Sequence, residues 1–211
     1  MKRKTFDMIL SAGGAVLVLV LLAAGSLALW GYSYANSNVH NQLAAQQIYF
    51  PAKAAFANAK PGTEITPSMI PSVSQYAGQQ LLTGQQAEVY ADDFIGVHLQ
   101  QIGGGLSYAQ LSTQAMALPK GSPAYTAAEA KVQTVFQGTT LRGLLLEAYA
   151  FWTIGQVALW GAVISFILAG VMLILTLLGL WHFRRVPEEQ EFPAAQRNGR
   201  VEQSEKVLAQ V

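Results

Sequence analysis

Histidine is the side chain best suited to ligate a metal or move a proton near neutrality, and this chain has His40, His98 and His182. Two ligands on one helix must lie a turn apart. The residues a turn from His98 are Phe94, Ile95, Gln101 and Ile102, none of which ligates a metal readily. Asp92 and Asp93 fall largely on other faces of the same helix, and His182 stands apart beside Arg184 and Arg185. His98 is therefore expected to be a core histidine with its ring nitrogens hydrogen-bonded; a metal ligand and a pH sensor are the competing readings.

Glu88, Asp92 and Asp93 are the residues that acid–base work or a divalent cation would use. Such chemistry needs convergent carboxylates, whereas adjacent helical positions diverge, so a solvated helix face is expected. Arg142 and Glu147 are badly spaced for an intrahelical pair, and each is expected to find a partner elsewhere or to meet lipid headgroups. Gly103-Gly104-Gly105 lacks the spacing and the preceding strand of a phosphate loop, and no serine sits in a nucleophile-elbow pattern. The chain has no cysteine, which removes disulfides, thiolate zinc sites, iron–sulfur clusters and cysteine nucleophiles together. No catalytic, cofactor-binding or metal-binding set is assigned and no cofactor is expected. His98, Arg142 and Glu147 are kept as candidate functional polar residues.

The elements that must hold these residues are dominated by apolar sequence. The 211 residues carry a formal charge of +1, 52% are hydrophobic and only 12% are charged, against about 25% charged in ordinary soluble domains. No segment combines a basic stripe with aromatic residues, so nucleic acid is not expected as a partner. Residues 148–181 contain no Asp, Glu, Lys or Arg. They are long enough to cross a bilayer as a helix. A second span is assigned to 151–181, with Trp181 at one edge. Its outer boundary is set near Trp160, because Trp160 to Trp181 rises roughly 30 Å and Trp152 to Trp181 roughly 43 Å. Gly161, Ser165 and Ala169 recur every four residues and are candidates for a helix-packing face.

Lys2, Arg3 and Lys4 precede another apolar run, 8–30, with Trp30, Tyr32 and Tyr34 at its far end. Ser33-Tyr34-Ala35 offers small residues for signal-peptide cleavage, but the run exceeds a signal core of about 7–15 residues, so an uncleaved first span is expected. Small residues at 11–15 and 23–26 predict close packing on the second span. Cations flank the outer sides of both spans, whereas the connection holds only Lys53, Lys60, Lys120, Lys131 and Arg142. The positive-inside rule then puts residues 1–7 and the tail 182–211 in the cytoplasm and makes 31–150 an extracytoplasmic domain.

That domain reads as helical. The first span is expected to continue over 36–49 and to close at Phe50-Pro51. Residues 51–71, with Pro51, Pro61, Pro67 and Pro71, read as a long loop of which Ile65, Met69 and Ile70 pack part down. A short helix is expected over 72–82. The capping box Thr83…Gln86 then opens an amphipathic helix over 84–102, with Ala87, Ala91, Phe94, Ile95, His98, Leu99 and Ile102 on one face. Ser107…Gln110 repeats the box for a helix to Leu118. Another helix is expected over 124–137, stopped by Gly138, with Thr139 or Thr140 capping a last helix that enters the second span. Leu43, Ile48, Leu141 and Leu145 are the expected partners of the amphipathic faces. The tail 186–211 reads as mostly disordered, with a weak helix near 202–208.

At Gln75-Tyr76-Ala77-Gly78-Gln79-Gln80-Leu81, Tyr90-Ala91, Phe94-Ile95, His98-Leu99 and Gly138-Thr139-Thr140-Leu141-Arg142-Gly143-Leu144-Leu145-Leu146, together with Phe50-Pro51, the chain resembles a family of uncharacterised two-span membrane proteins from actinobacteria. The resemblance covers roughly residues 1–185 and implies a bacterial membrane setting. Some members carry the label aromatic ring-opening dioxygenase. That chemistry needs histidines and a carboxylate converging on iron, a set these residues do not supply.

The expectation is thus an all-α membrane protein of the bacterial inner membrane, with two transmembrane helices and a helical extracytoplasmic domain between them. Its partners are the lipid bilayer and another membrane protein or a second copy. It is expected to be a non-catalytic accessory or scaffolding subunit of a membrane or envelope complex. The alternative is an extracytoplasmic sensor or ligand-binding protein that signals through a separate partner.

Overall fold

A computed structural model describes residues 3–185. The tail at 186–211, and with it the disorder and weak helix expected there, lies outside the described residues. The described residues form helices and no β-strand; an isolated antiparallel bridge joins Tyr49 to Gln80. Two helices are long and apolar enough to cross a membrane: α1, Arg3–Gln46, and α7, Pro123–Arg185. The chain divides into two compact units, Met1–Trp30 with Leu159–Val211, and Gly31–Ala158.

In the first unit, the covered residues of α1 are Asp7, Ser11, Gly14, Val18, Leu21, Gly25 and Ala28, steps of four and three that make a heptad seam. On α7 the same stepping runs through Ala162, Ser165, Ala169, Met172, Thr176, Gly179 and Phe183. Small residues let the two backbones approach: a methyl on Gly179 would lie 2.9 Å from Ser11 Oγ, and one on Gly25 would lie 2.9 Å from Phe166 Cε1. Most of the large apolar side chains point the other way, as in Leu19 and Leu27, 66% and 70% exposed. Small inside and large outside reverses the order of a water-soluble helix pair and suits a lipid surround. Gly161 makes no such close approach to α1, since a methyl there would meet nothing within 4 Å. The packing period is seven residues rather than four, so Ala162 takes the buried place, while Ser165 and Ala169 lie on the seam.

In the second unit the core is built from Leu43 of α1, Leu145 of α7, and Phe50, Ile65, Met69, Val73, Leu81, Ala87, Ala91 and Ile95 between them. α1 ends earlier than expected, at Gln46, because Gln47 turns left-handed with φ 52°. The next residues run extended, with Leu81 N–H donating to Ile48 O at 2.9 Å and Phe50 N–H to Gln79 O at 2.9 Å. The Gln80 amide donates to Ala44 O at 3.1 Å and satisfies an end carbonyl of α1. This pairing needs a turn at 77–78, where Gly78 has φ 72°, and an open chain over 79–81, so the helix expected over 72–82 stops early. It is present as α3, Ile70–Val73, followed by a 3₁₀ turn, Ser74–Tyr76. The expected loop at 51–71 also contains α2, Lys53–Phe56, and a 3₁₀ turn, Pro67–Met69. Ile65 and Met69 are buried, but Ile70 is 37% exposed.

The helix expected over 84–102 is divided into α4, Gly84–Val89, a π-helical turn, Tyr90–Ile95, and α5, Gly96–Gly103. Both arms of the Thr83–Gln86 capping box form. Gln86 is buried yet satisfied, accepting from Leu82 N–H and Thr83 N–H and donating to Gln79 Oε1. The wider π turn shifts the register of everything after it. Ala87, Ala91 and Ile95 stay buried as expected, Phe94, His98 and Leu99 are half-buried, and Ile102 turns out to 40% exposed while Gly103 goes in.

α6, Tyr108–Met116, starts at its own capping box on Ser107 and packs Leu111 and Ala115 on Val132 and Val135 of α7. Gly138 does not stop a helix, and neither Thr139 nor Thr140 caps one: α7 runs through all three without a break. The glycine is there for contact, since a methyl on it would lie 2.5 Å from Leu99 Cδ2. Of the four expected core partners, Leu43 and Leu145 are 1% exposed and Ile48 packs at the margin, whereas Leu141 is 37% exposed.

Candidate functional site

The candidate site lies in the unit Gly31–Ala158 and is built on an ion pair between Arg142 and Asp92. Arg142, on α7, donates from Nε and Nη2 to the same oxygen, Oδ1 of Asp92, at 3.1 and 2.7 Å. Asp92 sits in the π-helical turn. Gly96, one turn further on, lies beside the guanidinium: a methyl there would stand in ordinary contact, 3.7 Å from Arg142 Nε. The two side chains are 41% and 43% exposed, so the pair is accessible from solvent. Glu88 and Asp93 are half-buried, and the three carboxylates do not act as one solvated face.

Beside the pair is a trough of about 580 Å³. Leu99, Leu106 and Val135 supply its apolar surface, and Gln100, Ser107 and Thr139 its uncharged polar groups. Tyr108 lines one side, its ring 5.4 Å from that of Phe136. Thr139 and Arg142 share a face of α7, a spacing visible in the sequence. Asp92, fifty positions away, and the turn that aims it carry no local signal.

Glu147 lies in a different place. It lines a groove of about 480 Å³ between α1 and α7, with Tyr34, Asn38, Gln42 and Gln46 on one side and Leu144 and Phe151 on the other. Tyr34, Leu144 and Phe151 are 61%, 55% and 55% exposed, so large apolar surface borders this groove. Arg142 and Glu147 are therefore not brought together.

His98 shares a 2.8 Å hydrogen bond with Phe94 O through Nδ1. A carbonyl only accepts, so Nδ1 carries a proton and donates it to Phe94 O. The ring completes a row Tyr76, Phe50, Tyr90, Phe94, His98, with centroids 4.6 to 5.2 Å apart. Within the row, burial and then the nearby Glu64 carboxylate raise the Tyr90 phenol above its ordinary value. Among the described residues no group of three or more His, Cys, Asp or Glu is placed to hold a metal ion.

Comparisons with protein-family models, with curated proteins and with solved structures give no match.

Proposed function

We propose that this is a two-pass protein of the bacterial inner membrane, both termini cytoplasmic, whose helical domain between the spans binds another membrane or envelope component without catalysing a reaction. The seam of small residues between α1 and α7, with large apolar side chains outside it, supports the membrane setting. The observation that carries the binding role is the groove at Tyr34, Gln42, Leu144 and Phe151. Two helical stripes there frame a trough whose rim exposes large apolar groups, a shape that one further helix fills. Its occupant is taken to be a helix of a partner membrane protein.

Photo-crosslinking in intact cells tests this reading. A photoreactive residue at Gln42 or at Phe151 should capture the same membrane protein, and one at Thr113 should not. Replacing Leu144 with Glu should abolish the capture. Capture only of a second copy of this chain would replace the accessory role with self-assembly. Equal capture at all three positions would remove the groove from consideration.

A second reading, an extracytoplasmic ligand sensor acting through a separate partner, is favoured by the trough at Arg142 and Asp92. It has charge at one end and apolar surface along its length.

A further inference from the structure

We infer that the trough beside the Arg142–Asp92 pair takes a free α-amino acid with an apolar side chain; this rests on the sensor reading and gives it a ligand class. Its volume, about 580 Å³, falls within the range of about 300–1,000 Å³ usual for small-molecule sites. Chemistry narrows the class further.

The pair is bonded one-sidedly. Both guanidinium donors use Asp92 Oδ1, so Oδ2 and the outer guanidinium N–H groups remain available to a ligand. A pair as exposed as this one holds weakly, and a ligand can open it at little cost. A ligand with a carboxylate alone would satisfy Arg142 and leave Asp92 facing like charge. A ligand with an amine alone would do the reverse. A molecule carrying ammonium and carboxylate on one carbon replaces both halves of the pair and orphans neither. The substituent on that carbon then meets Leu99, Leu106 and Val135, which favour an aliphatic or aromatic side chain.

The test uses the full chain in lipid nanodiscs, with thermal unfolding as readout. L-Leucine and L-phenylalanine should each raise Tm saturably. L-Leucinamide, which lacks the carboxylate, and N-acetyl-L-leucine, which lacks the ammonium, should need at least about tenfold higher concentration for the same rise, since each loses a charged hydrogen-bonding group. Arg142→Gln should lose the response. Thr139→Trp, on an exposed lining position, should block the trough while leaving Tm without ligand nearly unchanged, so that a failure of Arg142→Gln to fold does not decide the question. No rise with either amino acid, or equal rises with all four compounds, overturns the inference.

The sensor reading is judged apart from this ligand. If Thr139→Trp alters capture of the partner from Gln42 while leucine has no effect on Tm, the sensor reading stands and the amino-acid class falls. If Thr139→Trp leaves capture unchanged and leucine does not raise the wild-type Tm, both fall.

Discussion

Trp152 of α7 lies directly on Gly84, the first residue of α4, so that a methyl on Gly84 would overlap Trp152 Cβ and lie 2.5 Å from Cγ. These atoms are held close to the helix backbone and cannot swing aside as a side-chain tip would. The contact fixes the start of α4, and hence the direction of the π turn that carries Asp92.

Gly84→Ala is accordingly expected to destabilise the domain by about 1–3 kcal/mol, the usual penalty of overpacking. Gly143→Ala, in the middle of α7 with nothing within 4 Å of the added methyl, should instead be neutral or stabilising by up to about 1 kcal/mol. Chemical denaturation in mild detergent measures both. Equal effects of the two changes would mean that Trp152 does not rest on Gly84.

Gly138 shows why part of this architecture could be read from sequence and part could not. A glycine after an amphipathic stretch looks the same whether it ends a helix or makes room for a neighbour. Here it makes room for Leu99, whose side chain comes from another element. Thr83–Gln86 and Ser107–Gln110 were legible because a capping box is complete within four residues. The two long apolar helices were legible because length and apolarity are local properties. The π turn at Tyr90–Ile95 was not, since local composition does not distinguish it from an ordinary turn, and with it went the placing of Asp92 against Arg142.

The seam between the spans predicts a spatially selective response. Replacing Ser11 and Gly179 with cysteine, in a chain that has none of its own, should give a disulfide under mild oxidation. Adding Gly25→Leu should suppress that crosslink, because the new side chain meets the Phe166 ring. Adding Ile167→Leu, at a position 61% exposed, should leave it unchanged. Crosslinking that ignores Gly25→Leu would refute the seam.

Tyr90 predicts the alkaline behaviour of the domain. Its folded pKa lies above the ordinary 10.0 through burial, with a further rise from Glu64. The folded state therefore keeps its proton where the unfolded chain releases it. The stabilisation is complete below about pH 10 and is lost as pH rises toward and through the folded value. Tyr90→Phe retains the rings beside Phe50 and Phe94 and removes the phenol, so its unfolding midpoint should shift to higher pH. Circular dichroism against pH, compared with wild type, reads this out. An identical alkaline midpoint would mean that Tyr90 does not control the transition.

The proposed orientation predicts reporter signals. Fusions at residues 5 and 195 should report cytoplasm and a fusion in 51–71 the opposite side, because the cations cluster outside both spans. A cytoplasmic signal from 51–71 would reverse the topology and place the Arg142 trough where cytoplasmic solutes reach it.

The heptad stepping of α1 and α7 makes their apolar segments a phase-locked pair. Inserting one alanine between Val18 and Leu21 turns every later residue of α1 by about 100° and carries Gly25 and Ala28 off the seam. Inserting seven residues restores nearly the same angular phase, about 20° from the original on a straight helix. Because composition stays equally apolar in both cases, hydropathy would rank the two insertions alike. Helix pairing, in contrast, would return with the length of the insertion as a period, so the spans should tolerate added length by multiples of a heptad far better than by single residues.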